Sequence, residues 1–202
     1  MSSQRHTPEH APHPVVTDPV LRAAHACVMD VGLRRTTLAD VARRAGVSRM
    51  TVYRQFDDLL DIVSALLTAE LVALLDAAWA QTAALPTARE RLVEAGGLVV
   101  ERLVHHPLYR RVLDVDPELL LPLVVDRFGA TQRAAIEVVA GLVAQGVTEG
   151  SVRPVDPQLA ATCLLLTAQS FVFSARVVEA ETEPGATAVE LRRLFDGYLA
   201  PA

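Results

Sequence analysis

The sequence predicts an all-α fold, a small three-helix unit at the N-terminus followed by a larger helical body. Three observations predict it. Apolar residues recur at offsets of three and four, as Leu38, Val41, Ala42 and Ala45 do, which is the spacing of one helical face. The alternation of a half-buried strand is absent. Capping residues, glycines and prolines cut the chain into helix-length pieces. At 202 residues, 51% hydrophobic and 21% charged, the chain has the composition of a folded globular protein, with room for a small domain joined to a larger one.

Met1 to Thr17 carry Pro8, Pro12, Pro14 and the histidines His6, His10 and His13 without apolar periodicity, so a disordered tail is expected there. No cysteine or acidic cluster stands at ligand spacing to those histidines, and no metal is expected. The tail does not read as a signal peptide either, because prolines and Asp18 interrupt its first apolar residues. Asp18-Pro19 opens the first helix, Pro19 to Val31, with an acceptor at the cap and a proline where a missing N–H costs nothing; Gly32 closes it. Thr37 opens the second, where Asp40 three residues on is expected to complete a capping box, and Gly46 ends it. After the single link residue Val47, Ser48 caps a third helix. Helix, glycine-containing turn and helix form a helix-turn-helix.

Beyond Asp57 helices are expected over 58–84, 88–105, a short broken pair across 108–125, then 128–149, 157–178 and 186–199, with breaks at Pro86, Pro107, Pro117, Pro154, Pro157 and Pro184. The expected domain division is a tail over 1–17, a helix-turn-helix unit over 18–65 and a body over 66–202.

Charge separates the two folded parts. From Gly32 to Phe56 six arginines (Arg34, Arg35, Arg43, Arg44, Arg49, Arg54) face one acid, Asp40, although the whole chain carries a net −5. A basic island on an acidic body suits a protein that meets a polyanion through one small face. In the third helix, Val52 and Phe56 turn toward the core while Met50, Thr51, Arg54 and Gln55 turn away, with Arg49 at its start and Tyr53 at the boundary. Arginine can bind guanine O6 and N7 bidentately, and threonine can donate to a base or pack on a thymine methyl. A tyrosine hydroxyl and a second arginine can hold phosphates, fixing register without reading sequence.

The run from Gly32 to Phe56 resembles the N-terminal domain of the TetR family of DNA-binding regulators. The resemblance is carried by Thr36-Thr37 before the second helix, the Ala45-Gly46-Val47-Ser48 turn and the ending Tyr53-Arg54-Gln55-Phe56, and it covers roughly 19–67. It implies a sequence-specific transcriptional regulator, usually a repressor released from a palindromic operator by a small-molecule effector. By the same resemblance Arg49, Met50 and Thr51 are the base readers, and Thr37, Tyr53, Arg54 and Gln55 lie on or near phosphates. One position departs from the family. A lysine is common at the start of the fourth helix, whereas this chain has Leu59 preceded by Asp57 and Asp58. Two carboxylates beside DNA would repel it unless Arg35, Arg43 or Arg44 compensates, and Asp58→Lys is expected to tighten operator binding.

From Leu159 to Ala175 seventeen residues carry no charge, close to the length of a membrane span, yet Thr162, Thr167, Gln169, Ser170 and Ser174 recur along them. A helix buried between core and partner is the expectation, with no membrane. The resemblance implies that this helix and the last one pair with their equivalents in a homodimer, the body thus serving ligand binding and dimerisation. Candidate apolar pocket residues are Trp79, Leu103, Phe128, Leu166, Phe171 and Phe173, with His106, Tyr109, Arg133 and Gln169 as polar anchors.

Cys27 and Cys163 stand far apart with no metal or redox spacing, which fits a reduced, cytoplasmic chain. No phosphate loop, Gly-x-Ser-x-Gly elbow or zinc spacing occurs, so neither enzymatic activity nor a cofactor is expected. The alternative function is a helical ligand-binding or scaffold protein of the same fold without DNA binding, which the acidic pair after Phe56 suggests.

Overall fold

The computed structural model describes residues 18–115, 129–183 and 185–201. The expected N-terminal tail, the second half of the broken pair, and Phe128 lie outside the described residues. Nine α-helices and no strand occur among the described residues: α1 (Pro19–Val31), α2 (Leu38–Ala45), α3 (Arg49–Gln55), α4 (Leu59–Thr82), α5 (Ala88–His105), α6 (Pro107–Val115), α7 (Ala130–Glu149), α8 (Pro157–Glu179) and α9 (Ala186–Leu199).

Local chemistry sets the starts. Asp18 accepts hydrogen bonds from the amides of Val20 (2.7 Å) and Leu21 (3.2 Å), and Asp156 before Pro157 repeats the device by accepting from Leu159. Thr87 and Glu90 form a full capping box on α5: the Glu90 amide donates to the Thr87 hydroxyl and the Thr87 amide donates to the Glu90 carboxylate. At α2 the box is different. The Asp40 amide donates to the Thr37 hydroxyl (3.1 Å), while the return bond runs from that hydroxyl to the Asp40 carboxylate (2.6 Å). Aspartate is one methylene shorter than glutamate and meets the threonine side chain instead of its amide.

Three apolar clusters organise the packing. Val20, Ala23, Ala24 and Cys27 of α1 meet Val41 and Ala42 of α2, Val52 of α3 and Ile62 of α4. A second cluster joins Val28 and Leu33 to Val63, Leu66 and Leu67 of α4 and Leu108 and Val112 of α6. The largest binds the C-terminal half of α4 to α5, α7, α8 and α9. α4 therefore runs unbroken from the N-terminal unit into the body, and the expected division after residue 65 falls inside it. α9 lies close along α5, where a Cβ at Gly96 would sit 2.5 Å from the Phe195 ring. α9 thus turns Leu191, Phe195 and Leu199 inward against the body core.

Candidate nucleic-acid interface

α3 is a seven-residue helix held between two caps. Ser48 accepts from the Thr51 amide (3.1 Å), and the Phe56 amide donates to the Val52 carbonyl (3.0 Å). Val52 is fully buried and pins the helix to the N-terminal core, with Phe56 half-buried beside it. Every other α3 residue except half-buried Thr51 is exposed, as expected for a helix that offers one face to a partner. The sequence-expected readers Arg49, Met50 and Thr51 thus share a surface with Tyr53, Arg54 and Gln55, and Thr37 stands exposed at the start of α2.

The basic island is not uniformly available. Arg43 pairs with Asp40 at 2.8 Å, and Arg44 reaches across to Asp30 of α1. The Asp30 hydrogen bond raises the Arg44 pKa, and burial pushes the neighbouring Cys27 thiol up despite the guanidinium beside it. Asp40 is held below the ordinary carboxylate range, first by the Thr37 hydroxyl and then by Arg43. Arg35, Arg49 and Arg54 form no ion pair among the described residues. Of the three arginines that could offset the acidic pair, only Arg35 has its guanidinium uncommitted.

Asp58 is the N-cap of α4, accepting from the Asp61 amide at 2.8 Å, and the Asp57 amide donates to the Asp61 carboxylate at 3.4 Å. The residue that departs from the family pattern therefore has a structural task. Sequence reading missed this, although an aspartate before an apolar helix is itself a cap signal.

The body residues expected at a ligand site are split. Leu103 is buried, and Trp79 and Phe171 pack on the same core. His106 and Glu70 are 5% and 1% exposed, with His106 Nε2 and Glu70 Oε2 3.5 Å apart. The Tyr109 ring stands edge-on to His106 with centroids 5.5 Å apart, and its hydroxyl donates to the Leu67 carbonyl of α4 at 2.8 Å. Burial, with the Glu70 charge second, raises the Tyr109 pKa, so this hydroxyl stays a donor. Gln169 is half-buried, whereas Arg133, Leu166 and Phe173 are exposed and are not brought to the core. Glu70 was not anticipated, because one acid in an apolar helix reads as surface until its partner helix is known.

Comparison with known proteins agrees with this geometry. Residues 20–66, which hold α1 to α3 and the start of α4, match bacterial regulatory proteins of the tetR family. An HTH-type transcriptional regulator of Mycobacterium bovis is 38% identical over 180 residues, spanning 89% of this chain and 92% of the relative. The chain belongs to the TetR family. It is a DNA-binding transcriptional regulator, and the resemblance read from the N-terminal motif holds across the body as well. A Mycobacterium tuberculosis regulator matches to the same extent. Among solved TetR-type folds, the transcriptional regulator FadR from Bacillus subtilis, in complex with stearoyl-CoA, superposes with a TM-score of 0.66 at 16% identity, over 90% of this chain and 98% of that one. The R. erythropolis repressor QsdR gives 0.65 at 20% identity, over 91% and 97%. At such identities these two speak for the fold alone.

Proposed function

We propose that this TetR-family protein acts as a homodimer that represses from a palindromic operator and is released by a small-molecule effector. The observation that carries the reading is the α3 surface: a short helix anchored by one buried valine, presenting two guanidiniums, Arg49 and Arg54, that form no ion pair with a carboxylate among the described residues. Arg49, Met50 and Thr51 are assigned to bases. Tyr53, Arg54 and Gln55 are assigned to the phosphates. Thr37 commits its hydroxyl proton to Asp40, so it meets a phosphate through the backbone amides that open α2. The unit over 18–65 binds DNA, and the body over 66–202 holds effector and partner.

For dimerisation, α8 offers Leu159, Leu166 and Phe173, each two turns beyond the last, together with Val177; Val138 of the adjacent α7 is exposed as well. α9, the last helix, buries Leu191, Phe195 and Leu199 in the body but leaves Val189 and Leu194 exposed, so α7 and α9 both stand as companions of α8 at a two-fold interface. Pro157–Val178 is long and apolar enough to cross a membrane. Its contacts with the core favour a protein partner in the cytoplasm.

For effector binding, the apolar core around Trp79, Leu103 and Phe171 and the polar group Glu70, His106 and Tyr109 combine the two kinds of lining a small-molecule site uses. Tyr109 ties α6 to α4, and α6 also packs on α1, so a ligand that displaces α6 re-aims the N-terminal unit. Release follows if the ligand binds that second conformer more tightly. No catalytic constellation is assigned, and the relatives are transcriptional regulators.

Selection of bound duplexes from a random pool at two salt concentrations tests the reading. A palindromic consensus whose affinity falls steeply with salt is the expected result. Absence of enrichment at low salt would replace it with the scaffold alternative.

A further inference from the structure

Helix geometry ranks the exposed side chains of α3. Residues advance by about 100° each, so Met50 stands about 160° from buried Val52, close to diametrically opposite. Arg49 and Gln55 lie only about 60° from Val52, at the rim of the exposed face. The middle of the surface is therefore Met50 with Arg54, and Met50 is 75% exposed, more than any other large apolar residue described. A thioether has no donor and is a poor acceptor, so it cannot read the hydrogen-bonding edge of a base.

Thr51, one residue on, is restricted in the same direction. Its hydroxyl lies 2.8 Å from the Ser48 hydroxyl, and its amide donates to that same oxygen at 3.1 Å. The cap turns the Thr51 hydroxyl toward Ser48, and the methyl is the group of this side chain that the cap does not engage. Two consecutive residues of α3 thus offer apolar contacts, with Arg49 preceding them at the start of the helix. The major groove carries one apolar recognition group, the C5-methyl of thymine.

We propose that Met50 and Thr51 are specificity-determining residues that read thymine C5-methyl groups, so that each operator half-site carries thymine beside the guanine bound by Arg49. This rests on the operator-binding reading above and names the chemistry of recognition at that surface. Removal of one buried methyl weakens binding about fourfold, and the symmetric pair in a palindrome about fifteenfold.

The test uses the full-length protein and the duplex enriched from a random pool, synthesised with thymidine or with 2′-deoxyuridine at each thymine in turn. Deoxyuridine keeps every hydrogen-bonding atom and lacks only the methyl. The expected result is a loss of about fourfold per half-site at one or two positions. Met50→Ala should abolish the loss at one of them, and Thr51→Ser, which keeps the hydroxyl bonded to Ser48, should abolish it at the other. Both positions are outside the core, so unchanged helical content and melting temperature serve as the folding check. Equal affinity for thymidine and deoxyuridine duplexes would overturn the proposal while leaving operator binding intact. Methyl losses that persist undiminished in both variants would overturn it too. Failure to enrich any duplex would overturn operator binding itself, and this proposal with it.

Discussion

Arg43 and Arg44 are neighbours on α2, and in the sequence they look like two cations of one basic face. Arg43 instead binds Asp40 one turn earlier, and Arg44 crosses to Asp30 of α1, which clamps the first two helices together. On the proposed reading, the charge offered to DNA is thereby concentrated on Arg49 and Arg54 of α3 and on Arg35 before α2, and the two α3 positions have separable roles. Arg49→Ala should relax base preference at one position by about 1–3 kcal/mol while leaving affinity for unrelated duplexes nearly unchanged. Tyr53→Phe, which deletes only an exposed hydroxyl, should weaken all sequences alike by about 1 kcal/mol. Binding measured on the selected duplex and on single-base variants checks both, and a uniform loss from both mutants would sink the separation. The period of the sequence was enough to find the face of α3, because facing depends on spacing alone. The pairing of Arg44 was not readable, since Asp30 lies fourteen residues away and reaches it only once α1 and α2 have packed.

At the scale of elements, helix starts were legible wherever the chemistry is local. Asp18-Pro19, Thr37, Ser48 and Pro157 act within one turn of where they stand, and the helices begin beside them. Asp58 carries a start signal of the same kind and caps α4. This alters the meaning of the substitution suggested by the family pattern. Asp58→Lys removes a repelling carboxylate and also the acceptor of the Asp61 amide, a loss of about 1 kcal/mol in helix capping. Because α4 carries the N-terminal unit into the body, fraying its first turn loosens the mount of α3. Asp57 bonds the Asp61 carboxylate through its backbone amide, which any side chain retains. Asp57→Lys is therefore expected to tighten operator binding severalfold with an unchanged melting temperature, whereas Asp58→Lys lowers the melting temperature and gains less affinity. Calorimetry paired with binding at two salt concentrations separates the two effects; equal gains from both variants would place the α4 start away from the phosphates. The polar contacts between α4, α5 and α6 were beyond sequence reading for a related reason: Glu70, His106 and Tyr109 belong together only after three helices converge.

The whole molecule poses a further question of balance, because α8 leaves Leu159, Leu166, Phe173 and Val177 in water. An apolar row of this length along one helix is costly unless another surface covers it, and no charged residue between Leu159 and Ala175 interrupts it. Two of these residues, Leu166 and Phe173, looked in the sequence like pocket lining, since apolar character alone does not tell an inner face from a shared one. A second copy placed about a two-fold axis would cover both rows at once and would present two α3 helices to the two half-sites of a palindrome, which repeat about 34 Å apart, one turn of duplex. Leu166→Arg sets a charge in the middle of that row without touching either cluster that supports α3. Sedimentation should report a monomer in place of the dimer, with helical content retained. Operator affinity should fall by about 10²- to 10⁴-fold, since each half-site then binds alone, while the base preference of a single half-site survives. A variant that remains dimeric would assign the row to another occupant. A monomer with full operator affinity would mean that one helix-turn-helix suffices, which a surface offering so few base-reading side chains makes physically difficult.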